Sequence, residues 1–149
     1  MKLTLHTDYA LRMLIFLAVH DEKPVTVAHV AATYGLSRNH LLKVAHNLGR
    51  LGYVKTTRGR AGGIALTRAP RDINIGAVVR AAEDNLALVE CLSEEGGACV
   101  ITPACRLKGV VRKGVEAFLA VFDEYTLADL AGNRSMLEEL LVIPPSKAA

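Results

Sequence analysis

The chain has 149 residues, 51% of them hydrophobic, no Trp, and a formal net charge of +3. That is the size of one ordinary domain, or of a small domain with a helical arm, and the apolar fraction suffices for a real core. No apolar run is long enough to span a bilayer, because Arg12, His20 or Asp123 interrupts the longest candidates, so no transmembrane helix is expected.

The charge is unevenly divided. Residues 1–75 carry eleven Lys/Arg against four Asp/Glu, whereas residues 76–149 carry seven against eleven. Between Glu22 and Asp72 there is no acidic residue but nine basic ones, the electrostatic footprint of a polyanion partner or else a solvated basic face. The opening MKLTLHTDYALRMLIFLAV has Asp8 and Arg12 inside its apolar stretch and no small-residue cleavage site after it, so it reads as a folded helix rather than a signal peptide. All three cysteines lie between Cys91 and Cys105, which suggests a reducing, cytoplasmic setting and metal or redox chemistry rather than bridges.

In chain order, Leu11, Leu14, Ile15 and Ala18 repeat at helical spacing and predict an amphipathic helix over 8–20, with Thr7 and Asp8 where an N-cap belongs. Val27, Val30, Ala31 and Tyr34 predict a short second helix ended by Gly35. Ser37 then caps a third helix from Arg38 to about Arg50, burying Leu41, Ala45 and Leu48. Two helices joined by a tight Gly-containing turn make a helix-turn-helix. YVKTT and IALT alternate like strands around RGRAGG, a hairpin with Arg58 and Arg60 at its tip. The predicted fold is therefore mainly α: a winged helix-turn-helix with a small β-hairpin wing.

A short helix around Ile75 to Glu83 leads into the cysteine segment, and the longest helical pattern starts near Ala104. There Leu107, Val111, Val115, Phe118, Phe122 and Tyr125 form one stripe, and Val110, Gly114, Ala117 and Val121 form a second of small residues. Two stripes predict a helix packed on its own domain and on a second helix, most economically that of a twofold homodimer. The expected divisions are a DNA-binding domain over 1–84, a cysteine-bearing loop over 85–105, a dimerisation helix and following short helix over 106–142, and a disordered tail over 143–149.

On the recognition helix the outward residues are Arg38, Asn39, His40, Lys43, Asn47 and Arg50, with Ser37 at its start. The first of these suit base edges in the major groove; Lys43 and Arg50 suit phosphates, and Arg58 and Arg60 the backbone or adjacent minor groove. A helix-turn-helix used only for protein contact is the plain alternative. The thiols follow the spacing Cys91-x7-Cys99-x5-Cys105, wider than a zinc knuckle, with Gly96, Gly97 and Pro103 between them. Packed free cysteines, a zinc site or switching disulfide, and an iron–sulfur cluster all remain open on spacing. A cubane would need a fourth donor beyond the thiols: a water, a carboxylate such as Glu90, Glu94 or Glu95, or one of His6, His20, His29, His40 and His46. There is no nucleophile–base set and no phosphate-cradling Gly loop followed by Lys, so nothing supports an enzyme; a cluster-bearing electron carrier is the other class to weigh.

LTLHTDYALRMLIFLA, YGLSRNHLLKV, RGRAGGIAL, INIGAVVRAAE and CVITPACRLK together resemble the nitric-oxide-sensitive branch of the Rrf2 winged-helix regulators, to about residue 142. The resemblance implies a homodimeric repressor on a palindromic double-stranded DNA operator, released when its iron–sulfur cluster is nitrosylated. It implies a cluster held by Cys91, Cys99, Cys105 and Asp8 of the partner subunit, with Arg12 beside that carboxylate. A 4Fe–4S cluster is preferred by resemblance and 2Fe–2S is possible. Sibling branches use the same scaffold to sense iron or iron–sulfur status, which is the alternative function.

Overall fold

A computed structural model describes residues 2–59, 62–93 and 96–142. Three helices come first: α1 (Leu5–Val19), α2 (Val27–Tyr34) and α3 (Arg38–Arg50). Strands β1 (Val54–Thr57) and β2 (Gly63–Leu66) follow, then α4 (Ile75–Ala82), the long α5 (Arg106–Asp123), and the short α6 (Leu127–Leu130) and α7 (Arg134–Leu140). β1 and β2 pair antiparallel with Val54 opposite Leu66 and Thr57 opposite Gly63. Val25 joins Ile64 of β2 through two backbone bonds of 2.8 and 2.9 Å, so the segment before α2 forms a third edge of the wing. The expected mainly α, winged helix-turn-helix architecture is what the chain adopts.

α1 is the hub. Ala10, Met13, Leu14 and Phe16 are wholly buried, and Leu17, Ala18 and Val19 nearly so, which is broader than the single predicted stripe. The helix is covered by α3, α4, β2, α6 and α7 on different sides, and a helix so surrounded is apolar almost all round. It also starts earlier than the sequence suggests. Thr4, not Thr7 or Asp8, is the N-cap, its hydroxyl accepting from Thr7 N–H. The reason lies far along the chain: the Glu83 carboxylate accepts from Thr4 N–H at 3.1 Å and from the Thr4 and Thr7 hydroxyls. Thr7 is fully buried in that knot, which leaves Asp8 inside the first turn, free to act through its side chain.

The far end of α1 is clamped by Arg134, whose guanidinium donates to the Val19 carbonyl at 2.7 Å and pairs with Asp21 at 2.8 Å. That bond holds the Asp21 carboxyl below its ordinary range, mainly by hydrogen bonding to Arg134 and against a smaller desolvation effect.

α4 and α5 are locked by an Arg80–Asp123 ion pair with its second bond at 2.7 Å, and by backbone bonds from Ile75 to Tyr125 and Leu127 to Ile73. These bonds fix the far end of α5 against α4, the helix from which the cysteine-bearing segment departs. On α5, Leu119 is buried and Val115, Phe118 and Phe122 pack against the core. Leu107, expected on that inner stripe, is instead 63% exposed, and Tyr125 lies beyond the helix and faces out. Leu107 falls in line with Val110, Gly114, Ala117 and Val121, a solvent-facing apolar strip on which Val110 is 65% exposed. Among the described residues, no helix is long and apolar enough to cross a membrane.

Candidate cluster site and nucleic-acid interface

The helix-turn-helix is built by local chemistry. Thr26 caps α2 by accepting from His29 N–H. Gly35 then turns the chain with φ of 64°, a left-handed conformation that costs a glycine little and other residues more. Ser37 caps α3 by accepting from His40 N–H. Leu41, Val44 and Leu48 turn inward; Val44, not Ala45, is the middle member of the stripe, and Ala45 is only half-buried.

The opposite side of α3 presents Arg38, Asn39, His40, Lys43 and Arg50 to solvent. Asn47 stands apart from them: it is half-buried on the flank of the helix, with Oδ1 enclosed and without a hydrogen-bond partner. Arg58 is exposed where β1 ends, and Arg60 lies outside the described residues. The ion pairs among the described residues involve Arg12, Arg80, Arg112 and Arg134, none of them on α3 or the wing. Among the described residues, Arg38, Lys43, Arg50 and Arg58 thus pair with no carboxylate, as a surface for a polyanion requires. Arg68, basic by sequence, is used otherwise: it lies 5.3 Å over the Tyr53 ring and donates to the Gly52 carbonyl.

The thiols sit on a loop shaped by backbone turns. Cys91 is in a 3-10 turn, Glu90–Leu92, and is half-buried; Cys99 is exposed; Cys105 is half-buried and is the N-cap residue of α5. Gly97 packs against the Cys91 turn so closely that a Cβ there would stand 3.1 Å from Cys91 N and 2.9 Å from Glu90 Cγ. Thr102 links the other two cysteines, its N–H donating to Cys99 O at 3.1 Å and its carbonyl accepting from Cys105 N–H. All three cysteines are free thiols. α5 begins at Cys105 without a side-chain cap, so its first-turn amides favour negative charge at that end. Among the described residues, no three His, Cys, Asp or Glu side chains already converge on one metal-sized point. Glu94 and Glu95 are outside those residues.

Asp8 is 38% exposed and meets Arg12 through both oxygens, at 3.0 Å to Nε and 2.8 Å to Nη2. Beside it, Tyr34 donates to the Arg12 carbonyl. Burial pushes the Tyr34 phenol above its ordinary range; the Arg12 charge opposes this and the Asp8 charge adds to it. Tyr9, next to Asp8, stands edge-on to the His40 ring with centroids 5.9 Å apart, and Arg12 lies 6.0 Å from the Tyr9 ring. The helix that carries Asp8 therefore touches the recognition helix directly. Sequence reading missed Tyr9 and Glu83 here, because a Tyr after an Asp and a Glu ending a helix carry no local sign of a long-range partner.

An iron–sulfur cluster fits the residue types present. Three unbridged thiols share one loop, and the buried hydroxyl of Thr102, which has no partner, lies between two of them in the chain. A mononuclear zinc site would draw on the same thiols and, in its closed form, would need a fourth donor beside them.

Comparison with known proteins agrees with this architecture. A family model described as "Rrf2: Iron-dependent Transcriptional regulator" matches residues 3–133. The chain is 49% identical over 146 residues to the HTH-type transcriptional regulator NsrR of Halalkalibacterium halodurans, covering 97% of this chain and 100% of that one. It is 51% identical over 142 residues to the NsrR of Bacillus subtilis, covering 95% and 97%. Among solved structures, CymR, the global cysteine regulator of B. subtilis, superposes with a TM-score of 0.72 at 30% identity, over 89% of this chain and 98% of that one. T. potens IscR gives 0.72 at 28% identity, over 93% and 91%. These relatives are regulators of transcription, not enzymes, which agrees with the reading of the sequence. On full-length identity and shared fold, the chain is a DNA-binding transcriptional regulator of the Rrf2 family.

Proposed function

We propose that the protein is a homodimeric, cytoplasmic repressor whose iron–sulfur cluster is held by Cys91, Cys99, Cys105 and Asp8 of the partner subunit, and which leaves its palindromic operator on meeting nitric oxide. A 4Fe–4S cluster is preferred. The observation that carries this reading is the position of Asp8. It sits in the first turn of α1 with Tyr9 beside it, and Tyr9 packs on His40 of the recognition helix. The three free thiols of one loop, two of them half-buried and Cys99 exposed, and the relatives named NsrR support it.

When bound, such a cluster supplies irons that react with nitric oxide. The chain's own residues supply the rest. A carboxylate oxygen is a poorer match to iron in a sulfur-rich site than a thiolate, so Asp8 is the ligand most readily displaced. Arg12 offers it an immediate alternative, the bidentate pair seen here, which favours the released state. Freed from the partner's loop, α1 shifts, and its Tyr9 edge carries the shift to His40 at the start of α3. The exposed apolar strip of α5, from Leu107 to Val121, is where the second copy packs. On the DNA, Ser37, Arg38, Asn39 and His40 face base edges and phosphates at the groove; Lys43, Arg50, Arg58 and Arg60 meet the backbone; Asn47 lies at the margin of that face.

In an anaerobic nitric-oxide titration of cluster-loaded protein on its operator, affinity should fall about a hundredfold as the visible absorbance bleaches. That is about 2.7 kcal/mol, within the range one two-state switch delivers. Bleaching with unchanged affinity would refute the reading. Lys43→Ala should weaken binding to specific and random DNA alike and lower the salt slope by about one, read from affinity against salt.

A second reading is regulation by iron or iron–sulfur status, favoured by the family description, which names iron dependence. It is preferred if iron chelation releases the DNA and nitric oxide does not.

A further inference from the structure

Thr102 is the residue of the cysteine loop whose chemistry is unexplained by the fold. Its backbone ties Cys99 to Cys105, donating to one and accepting from the other. Its side chain does something different. Oγ1 is buried from solvent and has no hydrogen-bond partner, in a residue that is itself only half-buried. A buried hydroxyl without a partner is costly and uncommon and calls for an explanation, of which a group that binds later is one. Nothing in the fold requires a hydroxyl here: the 3-10 turn Thr102–Ala104 has Pro103 at its start and makes no side-chain cap. A Val would fill the same volume.

We infer that Thr102 is a positioning residue for the cluster, its hydroxyl donating a hydrogen bond to sulfur, either a cysteine thiolate or a cluster sulfide. The inference rests on the cluster reading given above. Sulfur that carries negative charge is a good acceptor for a short, desolvated donor. Hydrogen bonds to the sulfurs are among the features that set a cluster's reduction potential, by stabilising the more negative, reduced form. In the loaded protein the hydroxyl also gains the partner that the chain alone does not give it.

The test compares wild type, Thr102→Val and Thr102→Ser, purified without oxygen, by the reduction potential of the cluster and the stability of the cluster-free protein. Thr102→Val should shift the potential to a more negative value, and Thr102→Ser, which keeps the hydroxyl, should restore it. Cluster-free Thr102→Val should unfold at the same or a higher urea concentration than wild type, because an unsatisfied buried hydroxyl has been removed. A residue that merely shapes the loop would show the opposite stability change and no difference in potential between Ser and Val. Failure of Thr102→Val alone to retain a cluster, with Thr102→Ser loaded, also supports the donor. An unchanged potential in loaded Thr102→Val overturns it and leaves the cluster reading standing. Wild type that binds no cluster overturns both.

Discussion

Protein carrying Cys105→Ala, purified without oxygen, is expected to lack the visible absorbance of an iron–sulfur cluster and to hold at least tenfold less iron than wild type. The chain has only three cysteines, so no spare thiol can replace the lost one. Removing even an outer partner of a metal ligand costs roughly 10–100-fold in affinity, and removing a ligand costs more. Cys105 is only half-buried, and as the N-cap residue of α5 it makes no side-chain capping bond, so the fold does not depend on its sulfur. The urea midpoint of cluster-free Cys105→Ala should accordingly match that of cluster-free wild type. Full iron retention in this variant would remove Cys105 from the ligand set. The same experiment on Asp8→Ala separates the carboxylate from the thiols. Its cluster should load but bleach faster with nitric oxide, because the iron that the carboxylate shielded is open.

Phe16→Ala is expected to cost about 3–5 kcal/mol of stability, against roughly 5–15 kcal/mol for a whole domain. Phe16 is wholly buried in the middle of α1, with its ring 4.5 Å from that of His20 and 6.1 Å from that of Tyr34. It joins the first helix to the helix-turn-helix, and both rings that flank it come from elements that cannot close over the missing volume without moving α2 or the end of α1. The measurement is the urea midpoint, which should fall by about a fifth or more. Operator binding should fail with it, since α1 supports α3. A midpoint within experimental scatter of wild type would show that the site collapses freely, and the rigid hub described for α1 would then be wrong.

These expectations differ in how visible they are in the chain. The helix-turn-helix was legible because its signals are local. Ser37, Gly35 and the apolar spacing of Leu41 and Leu48 act within four residues, and the structure uses each as expected. The hairpin was legible for the same reason, from two alternating segments with glycines between them, whereas its register, Val54 opposite Leu66, came with the structure. The start of α1 was not legible. Thr7 is an acceptable cap by sequence, but Glu83, seventy-six positions away, recruits Thr4 and Thr7 together and moves the cap back. The face of α5 was half legible: helical period shows that two apolar strips exist, while only packing against the core decides that Leu107 belongs to the outer one.

The site divides in the same way. The chain by itself determined which groups are present: three thiols on one loop, a carboxylate four residues ahead of an Arg, and a basic stretch free of acids. Residue type and local period fix these, and both survive any arrangement of the helices. The ligand role of Asp8 came from the family resemblance alone. Only the tertiary structure decided which groups communicate. It set Tyr9 against His40 and both oxygens of Asp8 on Arg12, and it left the Thr102 hydroxyl buried without a partner. Those are contacts of side-chain direction, and direction is settled by the packing of whole helices against one another rather than by the order of residues along any one of them.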